Sequence, residues 1–129
     1  MTAQALQIDR ELERLEGLWE NGLADTYKSY LDAVKSYEAA DQPRLALAGA
    51  LIESGLRLQG LGGRAAPAAP LLMGDLCLAR ASRLLADHAS QTLQVAFARA
   101  IEQLSAGAAS GGESRPVRDL LVAALQGGR

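Results

Sequence analysis

Few side chains in this sequence can do chemistry, because 129 residues include one histidine and one cysteine. His88 falls at an expected turn between two helices, with Asp87 as its sequence neighbour. Neighbours on a turn do not make an activated pair, and Ser90 more simply caps the next helix, so His88 is expected at a helix end or on the surface; the alternative is a lone general base. Cys77 sits in an apolar segment with only Arg80 and Arg83 in reach by spacing. A buried structural thiol is expected there, not a nucleophile. One cysteine and one histidine form neither an internal disulfide nor a Cys/His zinc site. Gly60, Gly62 and Gly63 lack the preceding strand and the spacing of a dinucleotide loop, and no Lys-Ser/Thr pair follows them as a nucleotide-phosphate loop requires. The 15 carboxylates are scattered with no adjacent acidic pair, so they do not offer the converging oxygens that clamp a divalent metal on a diphosphate. Asp75 stands apart. It interrupts the run Leu71 to Leu78, and a carboxylate there needs a partner: either a binding surface, or an arginine or amide of its own chain.

The elements that position these residues read as helices. Ile8, Leu12, Leu15 and Trp19 recur at helical steps over residues 3–20, with Asn21-Gly22 as a stop. A second helix of about fifteen residues is predicted from Asp25, carrying Tyr27, Tyr30, Leu31, Val34 and Tyr37 on one stripe. Asp41 and Pro43 read as the cap and first-turn proline of a third helix, Arg44 to Gln59. That helix is apolar around much of its circumference and therefore central. Gly49 and Gly55 lower its propensity, which implies close packing. After a loop at residues 60–67, a fourth helix runs from Pro67 to Ala86 with Leu71, Gly74, Leu78, Ala81 and Leu85 on one stripe. A short turn leads to a fifth, capped by Ser90, with Leu93, Phe97, Ile101 and Leu104. Residues 107–112 read as a small-residue linker. Ser114 and Pro116 restart a last helix through Val117, Leu120, Leu121 and Leu125, and residues 127–129 should fray.

The fold expected is all-α, a single domain over residues 1–129 built as a bundle of about six helices. Apolar residues make up 49% of the chain and aromatics only 4%, with alanine and leucine dominant, which disfavours sandwiches and barrels. A net charge of −2 gives no basic field for nucleic acid or anionic lipid. No leader-like segment and no bilayer-length apolar run is present, so a soluble, cytoplasmic protein is expected.

The stretch from Leu71 to Ala86, with Gly74-Asp75, Leu78-Ala79-Arg80-Ala81 and Leu84-Leu85-Ala86, resembles a helix of the trans-isoprenyl diphosphate synthases. Phe97 to Gly107 resembles the helix that follows in that family, and Leu45 to Leu58 the one that in catalytic members ends in the first aspartate-rich motif. Here that stretch reads Ile52-Glu53-Ser54-Gly55-Leu56-Arg57-Leu58-Gln59, with one carboxylate and no aspartate. The second aspartate-rich motif is also missing. Metals held by those motifs stabilise the leaving diphosphate and the allylic cation, so the chain is not expected to catalyse prenyl transfer alone.

The combination resembles the small, non-catalytic subunits of heteromeric polyprenyl diphosphate synthases, of the hexaprenyl and heptaprenyl type. The resemblance implies a heterodimer with a larger catalytic subunit, magnesium on that partner and no cofactor on this chain. It also implies a part in setting product length. The helix from Pro67 is the expected partner interface, through Leu71, Gly74, Asp75, Leu78 and Ala81; Gly74 and Ala81 lie seven residues apart on one face, where small side chains admit another helix. Leu71, Met73 and Leu78 are the candidate floor of the product tunnel. The alternative is self-association, as a homodimeric helical scaffold of unrelated role.

Overall fold

The computed structural model describes residues 15–59, 68–110 and 117–127. Five α-helices lie among them: α1 (Ala24–Tyr30), α2 (Gln42–Leu58), α3 (Ala68–His88), α4 (Gln91–Ser110) and α5 (Val117–Gly127). A π-helical turn spans Trp19–Leu23 and a 3₁₀ turn spans Asp32–Val34. No strand occurs among the described residues, and the chain is all-α. Most of the sixth helix expected from periodicity, over residues 3–20, lies outside the described residues, although 15–18 are helical. The expected loop at 60–67, the restart at Ser114 and Pro116, and residues 128–129 also lie outside them.

Asn21-Gly22 bends the chain without ending the helix. Gly22 has φ 127°, a region that favours glycine, and the coil resumes at once as α1. Asn21 Nδ2 donates to the Gly17 carbonyl at 2.7 Å, bracing the bend. The helix expected to run about fifteen residues from Asp25 is shorter. After Tyr30 the bonds tighten, Leu31 N–H donating to the Lys28 carbonyl at 3.3 Å, and the 3₁₀ turn follows. Of the expected stripe, Tyr30 and Val34 are buried together with Ala33, Tyr27 and Tyr37 pack half-buried against the core, and Leu31 is exposed.

Pro43 stands in the first turn of α2 as expected, but the Asp41 side chain makes no cap bond. Asp41 is itself in a helical conformation, φ −89° and ψ −23°, and not in the extended one typical of a capping residue. Gln42 ties the corner instead, its Nε2 donating to the Tyr37 carbonyl at 2.8 Å. Beyond that corner α2 is buried on several sides, through Leu45, Ala46, Ala48, Leu51, Ile52 and Leu56, and it occupies the centre as its sequence predicts. Helix α1 and α3 pack against it, and α5 touches it as well.

Helices α3 and α4 meet at a two-residue turn, where Ser90 Oγ accepts the Leu93 N–H at 3.1 Å, the expected cap. They then diverge. Helix α3 lies along α2 while α4 pairs with α5. Helix α4 also continues to Ser110, so residues 107–110 belong to it and not to a linker. Alanine is the best helix former, and one glycine costs only about 1 kcal/mol. Helix α5 buries Leu120, Leu121, Ala124 and Leu125, each fully buried leucine contributing about 2 kcal/mol. Tyr37 Oη donates to the Leu125 carbonyl at 2.6 Å and ties the end of α5 back to the corner before α2.

Candidate functional site

The helix that carries the sequence resemblance, α3, has two different sides. Its inner side holds Gly74, Cys77, Ala81 and Leu85, all buried. At the crossing with α2 the two backbones nearly touch: a Cβ on Gly74 would lie 2.8 Å from the Gly55 carbonyl oxygen, and one on Gly55 would lie 3.0 Å from the Gly74 oxygen. Thus Gly74, expected to admit a partner's helix, faces α2 of its own chain, and Ala81, expected to do the same, is buried on the same side of α3. Cys77 lies in the same seam, wholly buried, and burial pushes its thiol up to about 11. It is placed as a packing residue, and burial disfavours its thiolate.

The outer side of α3 presents Leu71, 41% exposed, and Leu72, 63% exposed. Asp75 is exposed beside them and accepts a hydrogen bond from Gln59 Nε2 at 2.5 Å. Of the two outcomes open for this carboxylate, the structure supplies an amide partner within the chain. Met73 and Leu78 are half-buried. Where α3 and α4 diverge they leave a cavity of about 290 Å³, lined by Ile52, Leu78, Leu85, Phe97 and Ile101, with Ser82 and Gln94 at its polar edge. Leu78 enters this cavity; Leu71 and Met73 do not line it.

His88 ends α3 and faces a surface hollow shared with Tyr37, Glu38 and Asp41. Its neighbour Asp87 turns away to Arg83, at 3.6 Å. The expected helix-end position holds, and no activated pair forms. Among the described residues, no three or more His, Cys, Asp or Glu side chains converge on a metal-sized site. None of the described helices is long and apolar enough to cross a membrane.

Among the described residues, the polar group with the most partners is one to which the sequence assigns no role. Glu53, completely buried on α2, accepts a paired hydrogen bond from Arg118 of α5, Nε to Oε1 at 3.0 Å and Nη2 to Oε2 at 2.9 Å. Arg57 Nη2 reaches the same Oε2 at 2.9 Å, and Tyr30 Oη donates to Oε1 at 3.0 Å. Burial, reinforced by the Glu53 carboxylate, drives the Tyr30 phenol far above its ordinary range and keeps it a donor. The hydrogen bond to Glu53 likewise raises Arg118. A carboxylate at 0% exposure is tolerable only with such compensation. Local sequence contains half of the signal, a glutamate inside an apolar helix with an arginine four residues on. The other half, Arg118, is 65 residues away and not readable from spacing.

Compared with family models, with curated proteins and with solved structures, the chain matches none.

Proposed function

We propose that this chain is a non-catalytic, regulatory subunit of a heteromeric polyprenyl diphosphate synthase. It pairs with a larger subunit that bears both aspartate-rich motifs and the magnesium, and it helps set product length. The observation that carries the reading is the outer side of α3: the segment that resembles the synthase helix leaves Leu71 and Leu72 in solvent, beside Asp75. Adjacent apolar side chains on a helix otherwise bordered by charge suit a protein partner. The single carboxylate in the stretch resembling the first metal-binding motif, Glu53, is buried and shared among two arginines and a tyrosine. It is therefore not free to hold magnesium on a diphosphate. Of the three tunnel candidates, Leu78 lines the cavity between α3 and α4, so it is the residue proposed to limit chain growth.

Co-expression with a large subunit from the same genome tests this reading. The expected result is a stable complex with magnesium-dependent prenyl transfer, no turnover by the isolated chain, dissociation by Leu72→Glu, and longer products with Leu78→Ala. Product from the isolated chain would overturn the reading. So would a homodimer that ignores every such synthase subunit, which would favour a self-associating scaffold.

A further inference from the structure

Glu53 is neutralised by one guanidinium, yet two converge on it. Arg118 and Arg57 each bring Nη2 to within 2.9 Å of Oε2, so the two arginines are immediate neighbours. Their burial is unlike that of the carboxylate they share. The Glu53 side chain is 0% exposed, while Arg118 is 40% and Arg57 61% exposed, so the pair opens to solvent. Arg118 uses Nε and Nη2 on Glu53 and also interacts with the Tyr30 hydroxyl, and Arg57 uses Nη2 on Glu53; each guanidinium carries five N–H donors, more than these contacts use. Arg118 also stands in the first turn of α5, at the positive end of that helix, although exposed Asp119 beside it subtracts from the field.

We propose that Arg57 and Arg118 form a surface site for a single phosphate group, with Glu53 as its buried anchor. At the shared carboxylate two guanidiniums face one buried negative charge, with Asp119 on the solvent side as the opposing charge, and a planar fork of N–H donors matches a tetrahedral oxyanion. The anchor matters because an arginine held by a buried carboxylate has already lost most of its side-chain freedom, so less is lost when the anion arrives. The proposal does not depend on the prenyl-synthase reading.

The test is a ³¹P NMR titration of the full chain with inorganic phosphate at fixed ionic strength, with a phosphate monoester such as glycerol phosphate as a second probe. Saturable binding is expected, weakened at least about tenfold by Arg57→Gln, only partly by Arg57→Lys, and unchanged by Arg99→Gln on α4. Arg57→Gln removes the more exposed of the two arginines and leaves the Arg118–Glu53 pair in place, so the fold is retained and circular dichroism verifies it. Monoester binding as tight as that of inorganic phosphate identifies an esterified ligand as the source; binding of inorganic phosphate alone identifies the free ion. Absence of saturable binding of either probe, or binding equal in the wild type and Arg57→Gln, overturns the site.

Discussion

Helix α2 is held by two contacts that work in opposite ways. Against α3 it offers almost nothing: Gly55 meets Gly74 backbone to backbone, with Cys77 and Leu78 closing over the gap. Against α1 and α5 it offers a charge, the Glu53 carboxylate gripped by Tyr30 and Arg118. The first contact gains from dispersion at close range and tolerates no added volume. The second tolerates solvent at its rim but not the loss of a partner, since a buried carboxylate left alone costs several kcal/mol, roughly. One seam is selected by size and the other by charge, and the two should fail under different substitutions.

The largest effect is expected at the glycine seam. Gly74→Leu drives four carbons into a gap where even a Cβ lies 2.8 Å from a backbone oxygen, and it should destabilise the isolated chain by about 3 kcal/mol, the upper end of ordinary overpacking. Urea denaturation followed by circular dichroism measures it. A midpoint close to that of the wild type would show that α2 and α3 do not cross here.

Next in size is the charged contact. Arg118→Met should cost about 2 kcal/mol, because Glu53 keeps Arg57 and Tyr30 but loses its paired donors. Arg57→Met, at a 61% exposed site, should cost only about 0.5 kcal/mol. Equal losses would mean that the clamp is an ordinary surface ion pair.

Tyr30→Phe is expected to cost about 1 kcal/mol at neutral pH, and its main value lies at high pH. The Tyr30 phenol is raised in the folded state from its ordinary 10.0, so above that pH the unfolded chain releases a proton that the folded chain retains. Stability should therefore fall as pH rises beyond about 10, by up to about 1.4 kcal/mol per unit from this group. The wild type should show a steeper loss than Tyr30→Phe in denaturation series at pH 9 to 11. Parallel slopes would show that the phenol is not held against Glu53.

How much of this is legible in the sequence depends on the range over which each feature is specified. The central position of α2 follows from its own apolar circumference, and Ser90 caps α4 because its hydroxyl has the next turn's amide within reach. Cys77 reads as buried from its neighbours alone. The Asp41 cap fails where the corner before α2 winds helically, in a stretch anchored by buried Val34 and by the Tyr37 bond to Leu125 of α5, contacts that local sequence does not announce. Gly74 is legible as a point of close helix approach, but the sequence does not say which helix approaches.

The sequence by itself determines that this protein is helical, where most of its described helices run, and which residue types line their buried faces, because periodicity and propensity act within a few turns. Only the tertiary structure decides that Gly74 packs on Gly55, that Asp75 is answered by Gln59, and that Glu53 is shared by Arg57, Arg118 and Tyr30. Those pairings join residues 16 to 65 positions apart, apart from the i,i+4 step from Glu53 to Arg57. The physical reason is that one helix fixes which side chains share a face, while the partner of that face is fixed by how separate helices exclude water and neutralise charge together.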